Sequence, residues 1–313
     1  MPPRQRRDST AFLLKTLAIA FLLICLPAAA HAKQKHFYFA LNLPPSLIGE
    51  GAASIISRYN DVRKAVKSQT GFDLELKTYG DWEGVVRAVE RRDADFAALP
   101  GYYFAASLAN PRTRVRPFVT FMSDGRISSP CCIYVKKSRE ILTLDQLFNA
   151  RIALPDESHW VVLSRVFRDN NNPFPPAEFF EKVEIMTPES AFLALVFDKI
   201  DAVVADSLSM TYVLASDPRS RETAAVECSA TLTNPLIVHH ADVPAETLGK
   251  IESTLLSMHT APAFRSVRNF FKTANGRWVP AKKEYYNDWE SLIEEASKYG
   301  WVADFRASAG GTR

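Results

Sequence analysis

The chain has 313 residues, of which 47% are hydrophobic, so it is long enough for more than one domain with a sizeable core. Its formal charge of +3 comes from the first 32 residues, without which 38 basic and 35 acidic side chains become 34 of each. A neutral chain gives no reason to expect a nucleic-acid partner or an acidic membrane surface as a partner.

The first 32 residues have the pattern of a cleaved signal peptide. Basic residues up to Lys15 precede an apolar run from Leu17 to Leu26, and small residues that end at Ala32 complete a cleavage signal. The apolar run is about half as long as a bilayer-spanning helix requires. We therefore expect export to the periplasm and a mature chain that begins near Lys33 and is not embedded in the membrane.

From the leader onward, the hydrophobic pattern predicts alternating strands and helices. In chain order these are strand 36–41, helix 55–66, strand 72–77, a helix with Val85, Val86 and Val89 on one face, strands 96–99, 114–121 and 128–135, a short helix at 144–147, strand 151–154, helix 161–167, strand 183–186, a second helix and strand within 187–206, a crossover at 231–239, and helix 247–258.

Two segments of this order, 79–105 and 187–207, share one pattern of loop, helix, polar turn, Asp, strand and loop. A single offset of 106 positions pairs Asp95 with Asp201 and Ala88 with Ala194. The repeat predicts two similar α/β lobes whose strands end at a common cleft. We expect the two aspartates to orient their turns and not to contact a ligand.

The chain crosses between the predicted lobes twice, near 122–132 and near 230–238. These crossings predict a discontinuous first lobe, 33–124 and 237–313, and a continuous second lobe, 125–236. Three cysteines follow the leader: Cys131, Cys132 and Cys228. Either one of the adjacent pair forms a disulfide with Cys228, or all three are small core residues, and the sequence leaves both possibilities open.

The order of elements resembles the phosphate/phosphite/phosphonate-type substrate-binding proteins of ABC importers. The resemblance rests on Tyr79 with Val85, Ala88 and Val89, on residues 92–102 (RDADFAALPGY), 144–153 (LDQLFNARIA), Ala191 with 198–204 (DKIDAVV), 234–238 (NPLIV) and 278–281 (WVPA), and on Tyr285. It covers nearly all of residues 36–300. It implies the α/β type II periplasmic binding protein fold, with two lobes that are each a mixed sheet flanked by helices and are joined by two crossover segments.

The resemblance also implies an exported, monomeric protein that closes over a small molecule and delivers it to an ABC permease. The alternative is a periplasmic ligand sensor that signals to a membrane receptor, and the sequence does not separate the two. The chain contains no HExxH, CxxC or GxSxG motif. We therefore expect neither an enzyme nor a cofactor or metal site.

Polar and aromatic residues at or just after predicted strand ends are the candidate ligand contacts, because open α/β sheets bind ligands there. They are Asn42, Ser46, Tyr79, Trp82, Tyr102, Ser128, Ser129, Ser158, His159, Trp160 and Asp206, with Tyr103 and Ser207 beside them. Structural alternatives stay open for several. Trp82 and Tyr103 could pack against their helices, Asp206 could cap a helix, and His159 could be an ordinary loop residue.

One departure from the family pattern concerns the turn after strand 151–154. Family members usually have a Ser/Thr-rich, Gly-ending turn here that surrounds an anion, whereas this chain has residues 156–160 (DESHW). Asp156 and Glu157 place negative charge where an anion would bind. Trp160, with Tyr79 and Tyr102, is predicted to offer flat apolar surface. We therefore expect weak binding of phosphate and simple alkylphosphonates, and stronger binding of a ligand with an apolar or cationic portion.

Overall fold

The computed structural model describes residues 36–43, 50–265, 267–273 and 275–303. The predicted signal peptide, residues 1–32, and the candidate site residue Ser46 lie outside these ranges. Within the described ranges, no helix combines the length and the apolar character that crossing a bilayer requires.

The described residues form eleven strands and ten α-helices. The strands are β1 (His36–Asn42), β2 (Asp73–Tyr79), β3 (Phe96–Leu99), β4 (Val115–Ser123), β5 (Ser128–Lys136), β6 (Arg151–Leu154), β7 (Lys182–Ile185), β8 (Ala202–Asp206), β9 (Thr223–Thr233), β10 (Leu236–His240) and β11 (Gly276–Pro280). The helices are α1 (Glu50–Thr70), α2 (Trp82–Glu90), α3 (Gly101–Leu108), α4 (Glu157–Asp169), α5 (Pro176–Phe179), α6 (Pro188–Val196), α7 (Ser207–Ser216), α8 (Ala245–Ser257), α9 (Arg268–Thr273) and α10 (Asn287–Tyr299).

The first sheet has six strands in the order β11-β4-β10-β3-β1-β2. β1 and β3 are parallel, whereas β10 is antiparallel to both β3 and β4. The strands of this sheet come from both ends of the described chain, because β10 and β11 follow all the strands of the other sheet. The chain therefore has to return to the first sheet after β9.

The second sheet has five strands in the order β7-β6-β8-β5-β9. β6 is parallel to β7 and β8, and β5 is antiparallel to β8 and β9. Both sheets are thus mixed, and helices cover their faces, which confirms the predicted α/β class. The predicted lobe boundaries, at 124/125 and 236/237, stay a prediction.

Three groups of buried side chains fill the space between sheets and helices. Phe37, Phe39, Phe72, Ile251 and Leu255 belong to the group between the first sheet and helices α1 and α8. Phe192, Leu195, Met210 and Val213 belong to the group between the second sheet and helices α6 and α7. The third group spans both sheets and includes Val85, Phe104, Ile152, Trp160 and Trp289. The two sheets therefore share one continuous apolar layer.

The predicted repeat is confirmed by the structure. Each element of the second unit begins 106 positions after its counterpart, since α2 begins at Trp82 and α6 at Pro188, while β3 begins at Phe96 and β8 at Ala202. Both units also place a non-glycine residue at positive φ in the polar turn, Arg92 at 62° and Asp198 at 57°.

The two aspartates of the repeat have the same structural role. The Asp95 carboxylate accepts a hydrogen bond from the backbone N–H of Tyr38 at 2.9 Å, and the Asp201 carboxylate accepts one from the backbone N–H of Arg151 at 2.9 Å. Each therefore ties its turn to the start of a neighbouring parallel strand. The prediction that they orient turns is confirmed.

The structure also settles the cysteine pairing. Cys132 and Cys228 are directly opposite on β5 and β9 and form a disulfide, whereas Cys131 is a free, buried thiol. Successive side chains of a strand point to opposite faces, so Cys131 faces away from the disulfide. This leaves Cys131 on the face of the sheet that packs against α4, opposite Asp206 of β8.

Candidate functional site

The candidate site is a cavity of about 50 Å³ between the strand ends of the two sheets, here called the inner cavity. It is lined by Pro100, Gly101, Ser129, Cys131, Ser158, His159, Val162, Asp206, Leu232, Thr233, Asn234, Pro235 and Trp289. Both sheets and the second crossover contribute. A space of this size holds a few water molecules or a ligand group of similar volume.

Two helices of the second sheet begin at this cavity, and an aspartate caps each one. Asp156 accepts a hydrogen bond from the backbone N–H of Ser158 at 2.9 Å, at the start of α4. Asp206 accepts one from the backbone N–H of Ser209 at 2.7 Å, at the start of α7. Carboxylates therefore occupy the positions at both helix N-termini where an anion would otherwise bind.

His159 lies between these two carboxylates. Its Nδ1 is 3.1 Å from Asp156 Oδ1, within hydrogen-bond distance, and its Nε2 is 3.9 Å from Asp206 Oδ2. The Ser158 hydroxyl donates to the same Asp156 oxygen, and the Ser209 hydroxyl donates to Asp206 Oδ2 at 2.6 Å. The alternatives for Asp206 and His159 are thus resolved in part, since Asp206 caps a helix and also lines the cavity beside His159.

The charges of this group can be assigned from their pKa shifts. Burial works to lower the pKa of His159, but Asp156 and Asp206 outweigh it and raise that pKa from 6.5 to about 9. Burial works to raise the pKa of both carboxyls, but His159 and the serine hydrogen bonds hold the pKa of each below its ordinary value. At neutral pH the group therefore consists of two carboxylates and one imidazolium, with one net negative charge.

The raised pKa of His159 predicts a loss of stability at alkaline pH. A histidine with a pKa of 6.5 when unfolded and about 9 when folded binds more protons in the folded state between those values. Its contribution, on the order of 3 kcal/mol, is complete below pH 6.5 and is lost as the pH rises through 9. Urea denaturation at a series of pH values should show this decline.

His159→Gln is the matched variant for that measurement, because it removes the titrating group and leaves both aspartates in place. We expect a lower overall stability, since two carboxylates then lose their cation, but a flatter dependence on pH between 6.5 and 9. An unchanged slope in the variant would show that His159 does not titrate in this range.

The opposite wall of the inner cavity comes from α3 and α10. Helix α3 begins at Gly101 directly after Pro100, which provides no side-chain cap. A Cβ at Gly101 would overlap the indole of Trp289 and would lie 2.8 Å from the Thr233 carbonyl, so glycine is required here. The Trp289 Nε1–H donates to that carbonyl at 2.9 Å and holds this wall against the crossover.

A second, more open space of about 250 Å³, here called the outer cavity, adjoins the cap of α4. Its lining includes Asn42, Trp82, Tyr103, Asp156 and Glu157. Asn42 Oδ1 is buried and has no hydrogen-bond partner in the described part of the chain. Buried polar atoms in native proteins are nearly always satisfied, so a water or a ligand donor fits this position.

The rings of Trp82 and Tyr103 stack in this outer cavity, with centroids 5.7 Å apart. Tyr103 is buried while Trp82 is half-buried, and both pack against the shared apolar layer. Burial, and the negative charges of Asp156 and Glu157, raise the pKa of Tyr103. Trp82 and Tyr103 therefore combine a packing role with a surface in the cavity.

The structure thus brings seven of the predicted residues to the two cavities. Ser129, Ser158, His159 and Asp206 line the inner cavity, and Asn42, Trp82 and Tyr103 line the outer one. Tyr79 is half-buried against the apolar layer, Tyr102 is 7% exposed with its ring edge-on to those of Tyr103 and Trp289, and Ser128 is half-buried. These three stay predictions as ligand contacts.

The prediction for Trp160 as an open apolar surface is wrong. Its side chain is 0% exposed, and its Nε1–H donates to the backbone carbonyl of Trp301 at 2.8 Å. The position on α4 turns the indole into the layer shared by the two sheets. Trp160 therefore stabilises the packing of α4 against the C-terminal part of the described chain.

Several cavity residues were absent from the sequence-based candidates. They are Pro100, Gly101, Cys131, Val162, Leu232, Thr233, Asn234, Pro235 and Trp289. A signal was present for Asn234 and Pro235, because they open the NPLIV motif at the second crossover. Trp289 comes from a helix near the end of the described chain, and its sequence pattern alone does not indicate which surface it meets.

Comparison with known proteins identifies the family. Residues 49–286 match the family described as "ABC transporter, phosphonate, periplasmic substrate-binding protein". No curated protein matches the sequence significantly. The similarity to solved structures is broad in coverage and low in sequence identity.

Three of these structures illustrate the likeness. A binding protein component of an ABC phosphonate transporter from Pseudomonas aeruginosa has 14% identity and a TM-score of 0.63, over 88% of this chain and 100% of its own. PhnD1 from Prochlorococcus marinus, in complex with methylphosphonate, has 13% identity and a TM-score of 0.68, over 85% and 100%. The periplasmic aliphatic sulphonate binding protein SsuA from Escherichia coli has 11% identity and a TM-score of 0.56, over 88% and 92%.

These structures confirm the predicted type II periplasmic binding protein fold. The family match covers well over half of the chain and supplies the function, which is periplasmic solute binding for an ABC transporter. The chain belongs to the phosphonate-binding family of periplasmic substrate-binding proteins of ABC transporters.

Proposed function

We propose that this substrate-binding protein captures an uncharged or cationic solute that carries hydrogen-bond donors, and delivers it to an ABC importer. The observation that carries the proposal is the Asp156–His159–Asp206 group, with its one net negative charge at the inner cavity. Methylphosphonate, which is bound in the PhnD1 structure, is an anion rich in acceptors. The same fold here presents carboxylates where such an anion needs donors.

The polar groups of both cavities support a donor-rich ligand. Asp206 Oδ2 lies 3.9 Å from His159 Nε2, which is too long for a hydrogen bond and leaves room for a donor at the carboxylate. Asn42 Oδ1 in the outer cavity is a further acceptor that lacks a donor among the described residues. An ammonium, amide or hydroxyl group would satisfy these acceptors, whereas a phosphonate oxygen would not.

The opposite wall suggests how such a ligand is oriented. Helix α3 starts after Pro100 without a side-chain cap, so the positive end of its dipole faces the cavity. A carbonyl or another electronegative group fits this side, while the donor end fits Asp206. A larger ligand would extend into the outer cavity, where the stacked Trp82 and Tyr103 offer apolar surface.

Three further features belong to the proposal. The mature protein starts near Lys33 after signal peptide cleavage, acts as a monomer, and docks on its permease with the ligand enclosed. The ligand contacts would include Ser129, Ser158, His159 and Asp206, together with Asn42 and Trp82.

A thermal-shift screen of the purified mature protein tests the proposal, because a ligand that binds only the folded state raises the melting temperature. The panel contains phosphate, methylphosphonate and an alkylsulfonate as anions, and polyols, amides and small ammonium compounds as donors. We expect a saturable rise with members of the second group and none with the anions at equal concentration. A rise with the anions alone would overturn the proposal.

A further inference from the structure

The second crossover contains one side chain that connects the two sheets. Asn234 follows β9 of the second sheet and precedes β10 of the first, and it is 2% exposed. Its Nδ2–H donates to the backbone carbonyl of Phe121 in β4 at 3.0 Å. Its Oδ1 accepts a hydrogen bond from the Ser129 hydroxyl in β5 at 2.7 Å. One amide group therefore bridges a strand of each sheet.

The backbone of Asn234 also forms hydrogen bonds to both sides of the crossovers. Its N–H donates to the Ile127 carbonyl at 2.8 Å, which pairs the second crossover with the first. Its carbonyl lies 3.4 Å from both the Thr120 hydroxyl and the Tyr286 hydroxyl, and these hydroxyls are 3.0 Å from each other. The first sheet and Tyr286 therefore hold Asn234 firmly, whereas among the described residues of the second sheet the hydrogen-bond partner of its side chain is the Ser129 hydroxyl.

Ser129 and Asn234 also line the inner cavity. A group bound in that cavity therefore lies beside the hydrogen bond that joins the sheets. The Ser129 hydroxyl can donate to Asn234 or turn toward a ligand acceptor, and its own lone pairs can accept a ligand donor. The Ser129–Asn234 pair therefore contacts both the space where a ligand would bind and the two crossovers that join the sheets.

We propose that the Ser129–Asn234 hydrogen bond couples contact with the ligand in the inner cavity to the closure of the two sheets, with Asn234 as the positioning residue. This inference rests on the proposed function in that the inner cavity is the ligand site. Loss of one buried hydrogen bond shifts a two-state equilibrium about fivefold to tenfold. Without the Ser129 hydroxyl, the open state should gain population by that factor.

Cys131 provides a native reporter of opening. It lines the inner cavity as a free, buried thiol, so alkylation by iodoacetamide requires the cavity to open. In the ligand-free mature protein, we expect Ser129→Ala to raise the alkylation rate about fivefold or more at constant pH. Ser129→Thr keeps the hydroxyl and should restore the rate. Ser128→Ala, one residue earlier on the other face of β5, should leave it unchanged.

Small-angle X-ray scattering of the same four proteins, and of Asn234→Ala as a fifth, gives a second measurement that does not depend on Cys131. We expect a larger radius of gyration for Ser129→Ala, and for Asn234→Ala if that variant folds, than for the wild type and Ser128→Ala. Urea denaturation separates this opening from a general loss of stability, because a role in packing alone would change the free energy of unfolding without changing the radius of the folded state.

Equal alkylation rates and radii for Ser129→Ala and Ser128→Ala would overturn the inference, as would a failure of Ser129→Thr to restore the wild-type values. None of these measurements uses a ligand. The alkylation and scattering experiments therefore still test the coupling if the ligand screen contradicts the proposed solute class. In the same way, a negative result in these experiments does not change the outcome of the ligand screen.

Discussion

A variant without the disulfide, Cys132→Ala with Cys228→Ala, is expected to lose about 4 kcal/mol of unfolding free energy. The bond connects residues 96 positions apart in sequence, and closing a loop of this length restricts the unfolded chain strongly. It also fixes β9 to β5 at the edge of the second sheet. Urea denaturation of both proteins under oxidising conditions measures the difference.

Cys131→Ala is the control for that comparison, because it removes a buried sulfur next to the disulfide without opening a loop. We expect it to cost about 1 kcal/mol, as for the deletion of one buried atom. Equal losses in the two variants would show that the disulfide contributes packing and no cross-link. A reducing agent should destabilise the wild type and Cys131→Ala alike, but not the variant without the disulfide.

The second large effect concerns the charge of the ligand. Asp156→Asn with Asp206→Asn keeps a capping oxygen at both helices, since Asn caps about as well as Asp, but removes two negative charges. A phosphonate within a few ångströms of each lost carboxylate would gain about 1–4 kcal/mol per charge in a partly solvated cleft. We therefore expect the affinity for methylphosphonate to rise at least tenfold.

Asp145→Asn provides a control for the loss of a single negative charge, because Asp145 is exposed, lies on the helical turn before β6 and does not line either cavity. Calorimetric titration with methylphosphonate should show no gain in this variant. A gain in Asp145→Asn that is equally large per charge removed would mean that net charge acts from a distance. No gain in the double variant would mean that Asp156 and Asp206 do not face the ligand.

The sequence contains much of the information about the fold because periodic patterns are local. The strand at 96–99 and the strand at 151–154 are found at their predicted bounds, and the repeat places α6 and β8 correctly. The long edge strand β9 was not predicted as a strand, and only its last three residues fall within the predicted crossover at 231–239, because its exposed and half-buried residues do not form a continuous apolar run. Helix α10 was not predicted.

The site was predicted less completely, since a position at a strand end does not determine the direction of a side chain. Ser158, His159 and Trp160 are consecutive on the first turn of α4, yet two line the cavity while the indole is fully buried. A helix rotates each successive residue by about 100°, so one turn supplies both cavity and core. Local sequence does not indicate which residue faces which side.

The contributions of distant segments were also missed. Trp289 and Asn234 reach the inner cavity from α10 and from the second crossover. Their positions depend on tertiary contacts, such as the hydrogen bond from Trp289 Nε1 to the Thr233 carbonyl. The acidic turn at 156–157, by contrast, was visible in the sequence as a departure from the family, and its capping role follows from residue type.

Calorimetric titration of the wild-type mature protein with methylphosphonate tests the central claim most directly, namely that the inner cavity rejects the anions typical of this family. The net negative charge of the Asp156–His159–Asp206 group predicts no saturable binding below about 1 mM. A dissociation constant in the micromolar range would contradict that claim and would make a phosphonate the ligand of this protein.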